Sequence, residues 1–120
     1  MSYGDVIERI LSEYRLMLGI RDDVKVRVRR YKTKAALSNI KTRTIYINKD
    51  LLDLGEEIIR YLLLHELLHI KLQGKYHDER FYAMLYFFIP PEKVNTIREI
   101  ITMGMLRNYV VKRVDQRTRR

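Results

Sequence analysis

Residues 58–72 read IIRYLLLHELLHIKL, an apolar run interrupted by Arg60, Lys71 and the sequence His-Glu-Leu-Leu-His. Fifteen residues with no glycine or proline and a strong leucine content predict a helix. Upstream, Asp53 offers a cap, and Glu56 and Glu57 would fall in the first turn, where the helix dipole favours acid. Downstream, Gly74 offers a stop, so the predicted helix spans about residues 54–72. It is apolar on nearly every side. Such a helix belongs in the middle of a domain, covered by other elements on most faces.

Into this apolar cylinder the sequence sets His65, Glu66 and His69. At about 100° per residue, positions four apart emerge about 40° from each other, one turn above the other. Both imidazoles can therefore reach one ion. Glu66 is offset by about 100° from His65, beside that ion rather than on it, where a carboxylate can take a proton from water. Burying two imidazoles and a carboxylate among leucines costs several kcal/mol unless something satisfies them, and one zinc ion satisfies all three. The predicted metal is a single Zn²⁺. Its third ligand is expected at His77, the only other histidine, which follows a turn (KLQGKY) long enough to reverse the chain. Asp78 and Glu79 are chemically acceptable rivals. Asp78 is also the expected partner for orienting a ligating ring. Glu66 would act as general base toward a water attacking a peptide carbonyl, returning the proton to the leaving amine. Tyr76, Tyr82 and Tyr86 are candidates for additional help at the oxyanion.

The flanking segments supply the layers around this helix. Residues 3–18 form an amphipathic helix, with Ile7, Ile10, Leu11, Tyr14, Met17 and Leu18 on one face, Ser2 and Asp5 as a capping box and Gly19 as the stop. In residues 24–30, VKVRVRR alternates with period two and predicts a half-buried strand with Val24, Val26 and Val28 inward. Residues 42–48, TRTIYIN, are a second strand, and residues 36–40 a short third one with a turn at Ser38-Asn39. If the strand at 44–48 is an edge, it could pair with an extended peptide and draw it across the metal. Residues 78–89 form an aromatic-rich helix stopped by Pro90-Pro91, and a last helix runs from Pro91 to about Val111. Val94, Ile97, Ile101, Met105 and Asn108 share one side of it, Gly104 weakens its middle, and the final QRTRR is expected to fray. The fold class is α+β: a small sheet of about three strands on a central HExxH helix, with a backing helix and a C-terminal helix or tail.

At 120 residues the chain is expected to be one domain, with 47% hydrophobic residues and too few glycines and prolines for a disordered composition. No apolar run approaches the ~20 residues of a membrane span. The absence of cysteine excludes disulfides and thiolate zinc sites. With no signal-peptide pattern at its start, a cytoplasmic location is expected. The formal charge is +9, of which +4 falls within residues 109–120. A basic surface attracts nucleic acid or acidic protein; it also suits a soluble, Lys/Arg/Glu-rich protein of a thermophile. Nucleic-acid binding is therefore a secondary expectation.

The segment HELLHIKLQGKYHDERF, residues 65–81, resembles the minigluzincins, minimal zinc peptidases of thermophilic prokaryotes, over nearly the whole chain. That resemblance implies His65, His69 and His77 as zinc ligands, Glu66 as general base, and a three-stranded sheet packed on helices. It further implies latency, with residues 91–120 blocking the cleft within one chain or by exchange between two. Peptides or unfolded proteins would be the substrates. A looser resemblance is to SprT-like and YgjP-like metallopeptidase domains, which share the downstream histidine and a phenylalanine four places beyond it, here His77 and Phe81. SprT-like enzymes act on DNA-bound proteins, so a protease of nucleic-acid-bound proteins is the alternative enzyme. A non-catalytic zinc-stabilised module that binds nucleic acid is the alternative from another class.

Overall fold

Three short strands share one mixed sheet. The computed structural model describes residues 2–118, with side chains as far as Val111. Strands β1 (Lys25–Arg29), β2 (Ala36–Asn39) and β3 (Thr44–Asn48) lie in the order β1-β3-β2. β1 is parallel to β3, with Val26 opposite Ile45; β2 is antiparallel to it, with Leu37 opposite Tyr46. Helices α1 (Tyr3–Leu18), α2 (Glu56–Leu72), α3 (Glu79–Phe88) and α4 (Pro91–Thr118) complete the chain, with a 3-10 turn at Lys49–Leu54 between β3 and α2. This is the α+β architecture that the patterning predicts.

The strand roles differ from the expectation in one respect that matters for function. β3 is not an edge: it is the middle strand, with Thr44, Ile45, Ile47 and Asn48 all buried. The edge beside α2 is β2, held against β3 by a turn that falls after Asn39, not at Ser38-Asn39. There Thr42 N–H donates to Asn39 Oδ1 (3.1 Å), and Arg43 takes a left-handed φ of 50°. β1 is the opposite edge, and its lysine and arginines suit a position that must not pair with other chains. Its inward face fades toward solvent: Val24 is buried, Val26 partly so, and Val28 is 40% exposed, contrary to the alternation.

Asn48 is the polar anchor of the sheet. Its buried amide donates to the carbonyls of Tyr31 and Lys34, both at 2.9 Å, and its Oδ1 accepts from Asp50 N–H at 3.0 Å. These bonds fix residues 31–35 and so the path of the chain into β2.

α2 is enclosed as expected, packed by α1, α3, α4, the 3-10 turn and the β2–β3 side of the sheet. Its ends differ from the expectation. The N-terminal cap is Gly55, which has no side chain to offer, while Asp53 instead faces Arg107 at 3.4 Å. The stop is Gln73 rather than Gly74, with Gln73 in the left-handed region (φ 51°) and Gly74 N–H returning to the His69 carbonyl at 3.2 Å. On α1, Ser2 Oγ caps Asp5 N–H (3.2 Å) and Gly19 ends the helix at φ 68°, as expected, although Met17 lies exposed. Arg60 of α2 donates to Glu13 of α1 (3.0 Å), and Arg9 pairs with Glu56, tying the two helices together.

α4 continues to Thr118, past the expected end near Val111 and into the QRTRR stretch expected to fray, of which Arg119 and Arg120 lie outside the described residues. Val94, Ile97 and Ile101 are buried, and Asn108 Nδ2 reaches the Asp50 carbonyl at 3.2 Å. Gly104 has a packing reason: a Cβ there would stand 2.8 Å from Leu54 Cδ1. Among the described residues no helix is long and apolar enough to cross a membrane.

Candidate metal centre

α2 presents His65 and His69 on one face a turn apart, and the short connection into α3 brings His77 to the same place. One nitrogen from each ring lies within 4.8 Å of the other two. The Nε2 atoms of His69 and His77 face each other at 3.0 Å. Four-coordinate zinc with Zn–N bonds of 2.0–2.1 Å sets its nitrogens about 3.4 Å apart, so small ring adjustments suffice. The donors fit the metal.

Backbone geometry orients the rings. His69 is 7% exposed, and its Nδ1–H donates to the Gly74 carbonyl at 2.8 Å, leaving the Nε2 lone pair toward the centre. The left-handed turn at Gln73 is what swings that carbonyl back. Asp78, expected to orient a ligand, does something else: its Oδ1 accepts from Phe81 N–H at 3.0 Å and caps α3. Desolvation, followed by the neighbouring His65 and His69, holds His77 below the usual histidine range, which favours the neutral ring that metals require. Phe81 is 1% exposed, and its ring centroid lies 5.0, 4.9 and 4.5 Å from those of His65, His69 and His77. It forms an apolar floor under all three.

Glu66 is 5% exposed, with Oε2 2.8 Å from His65 Nδ1. A cavity of about 220 Å³ opens beside it, lined among others by His65, His77, Tyr61, Tyr82 and Arg98. A shallower hollow shares Ala36, His65 and Glu66 with it and is lined also by Ser38, Ile40 and His69. Of the three tyrosine candidates, Tyr82 faces the cavity, Tyr86 stacks on Tyr82 at 5.6 Å, and Tyr76 is 84% exposed. Tyr61 was not among them. It stands one turn before His65 (ring centroids 5.7 Å apart), and burial pushes its hydroxyl above the usual tyrosine range, keeping it a donor. The i, i+4 relation to His65 was the available signal; nothing local marked Arg98.

Residues 2–98 match the YgjP-like metallopeptidase domain. The chain belongs to the YgjP-like metallopeptidase family. An uncharacterised protein of Methanocaldococcus jannaschii is 37% identical over 99 residues, covering 79% of this chain and 89% of its own. One of Aquifex aeolicus is 42% identical over 76 residues, covering 62% and 68%. The crystal structure of the metallopeptidase zymogen abylysin of Pyrococcus abyssi has a TM-score of 0.75 at 33% identity, over 81% of this chain and 92% of that one. That of jannalysin, the zymogen of M. jannaschii, has a TM-score of 0.74 at 27% identity, over 82% and 96%. This YgjP-like chain is thus a zinc metallopeptidase of the gluzincin type, with a single zinc-type site at its histidine cluster.

Proposed function

We propose that His65, His69 and His77 hold one zinc ion and that Glu66 is the general base for hydrolysis of peptide bonds in peptides or unfolded proteins. The observation that carries this reading is the convergence of three imidazoles beside a buried carboxylate on a family-matched helix. Bound zinc would supply Lewis acidity, polarising a carbonyl and making water easier to deprotonate. Glu66, already beside the cluster, takes the proton of the attacking water and delivers it to the leaving amine. Tyr61 and Tyr82 face the same cavity and can donate toward oxygen charge developing there. The free edge of β2 supports backbone pairing with an extended substrate, the role the sequence had suggested for β3.

Latency belongs to the same proposal. Jannalysin and abylysin are described as zymogens, and residues 91–120 are the segment assigned to cleft blocking here. Because Val94, Ile97 and Ile101 are core, the blocking part is placed after Asn108, acting within one chain or exchanged with a second copy. A cytoplasmic location, checked by cell fractionation, completes the reading.

The test is a time course of cleavage of an unfolded protein by the zinc-loaded full chain, by a form ending at Asn108, and by Glu66→Gln in both. Cleavage by the shorter form, reduced about 10²-fold or more in Glu66→Gln with zinc stoichiometry retained, is expected. Equal rates with and without Glu66 would remove it as the base, and equal rates of the two lengths would remove the latency.

A further inference from the structure

The cleft around the metal centre has a one-sided charge. The cavity and the shallower hollow share Ala36, His65 and Glu66, so both adjoin the place where a peptide running along β2 would reach the cluster. Arg98 lines the first; Lys34 and Lys75 line the second. Glu66 is the only carboxylate lining either of them among the described residues.

Arg98 is the most informative of these cations. Arg9, Arg60 and Arg107 each find a carboxylate within 4.0 Å, whereas no ion pair or side-chain hydrogen bond engages the Arg98 guanidinium among the described residues. Asp78 and Glu79 flank an outer hollow that Arg98 also lines, yet neither pairs with it, and Asp78 is committed to capping α3. Arg98 lines the same cavity as Tyr61 and His77. Leu85, Val94 and Ile101 line the cavity with it, while Arg98 itself is exposed and open to an incoming anion. A planar guanidinium matches a carboxylate in two parallel hydrogen bonds, which an ammonium cannot reproduce.

We propose that Arg98 is a specificity-determining residue that receives a substrate carboxylate beside the scissile bond, making this a peptidase of acidic peptides. The carboxylate has two chemical sources, an Asp or Glu side chain or the free C-terminus of a short peptide. The positive β2 side, with Lys34 and Lys75, extends the same preference along the cleft. This rests on the cluster being the peptide-cleaving centre proposed above, so the test reads binding rather than turnover.

Zinc-loaded Glu66→Gln protein, as the full chain and as the form ending at Asn108, is titrated, by fluorescence anisotropy, into fluorescein-labelled alanine-rich hexapeptides. One carries a central Glu, one a central Gln, both amidated, and a third is the Gln peptide with a free C-terminus. The expected result is about tenfold tighter binding of the Glu peptide, the free-carboxylate peptide, or both, relative to the amidated Gln peptide. Which one gains identifies the source. Arg98→Ala should bring that ratio to about one, Arg98→Lys should restore part of it, and both variants should keep the parent melting curve. Equal affinities for all three peptides, no binding of any by either length, or a preference that survives Arg98→Ala would overturn the proposal. If instead the preference holds while wild-type and shortened chains cleave none of the peptides, the assignment of Glu66 as a peptidase base fails and that of Arg98 stands.

Discussion

A phenyl ring packed against three imidazoles limits how far each can swing. At Phe81, the expected consequence of truncation to Ala is a loss of about 3–5 kcal/mol in stability from the emptied space. Zinc affinity should fall by about tenfold or more because the rings lose their support. Phe81→Leu, which keeps most of the volume, separates the two effects: chelator competition should still show weakened zinc binding while the melting curve moves little. Unchanged zinc affinity in both variants would mean that the Gly74 carbonyl and the helix alone hold the rings. At this scale the sequence was most legible where chemistry is dictated by spacing. His65, Glu66 and His69 could be placed from helical angles, and His77 from the reach of a turn. Asp78 was misread because a carboxylate at a helix start has two competing uses, and capping the first turn won. Arg98 was unreadable, since its place in the cavity beside His65 and His77 depends on how α4 crosses α2, which no local pattern encodes.

Between elements, close approach and charge pairing make separable predictions. Gly104 lies where α4 crosses Leu51 and Leu54 of the 3-10 turn. Gly104→Ala gains helix propensity, and the obstructing atom is the mobile end of Leu54, so stability should change by no more than about 1 kcal/mol. Gly104→Leu overfills the contact and should cost about 1–3 kcal/mol in denaturant titration. Equal effects of the two would mean the crossing is loose. The α1–α2 pairing predicts a pH effect. A hydrogen bond from Arg60, reinforced by the charges of Arg60 and Arg9, holds the Glu13 carboxyl below its usual range. A depressed folded value stabilises above the unfolded pKa of about 4.3 and is lost as pH falls through the folded one. The melting point of Glu13→Gln should therefore lie below that of the parent at about pH 7, and the gap should close as pH falls through the lowered folded value. A gap that persists in acid would assign the effect to packing. Elements themselves were largely legible, because apolar periods of 3.6 and 2 survive folding. Strand order was not: β3 became central only because β1 crosses to pair with it from the far side. The basic residues of β1 were the available hint that it, rather than β3, is an edge.

For the whole molecule, the question is where the folded body ends and the blocking segment begins. α4 spans 28 residues, about 42 Å at 1.5 Å per residue, against a body about 28–29 Å across its shorter axes. Its first half is core, with Val94, Ile97 and Ile101 buried, and the YgjP-like match itself reaches residue 98. Each buried aliphatic side chain contributes about 1.5–3 kcal/mol, and a domain this size has only about 5–15 kcal/mol in total. A form ending at Pro90 loses all three side chains and uncovers the apolar face they seal. It should lack a cooperative melt by circular dichroism, so its inactivity would say nothing about latency. A form ending at Asn108 keeps those side chains and the Asn108 bond to Asp50, and should melt within a few degrees of the full chain. If the Pro90 form instead melts cooperatively and binds one zinc, α4 is dispensable to the body. All of residues 91–120 would then be free to act as the blocking segment. If only the Asn108 form does, the blocking part is confined to residues 109–120, whose +4 charge is repelled by the same cations that would draw acidic peptides in.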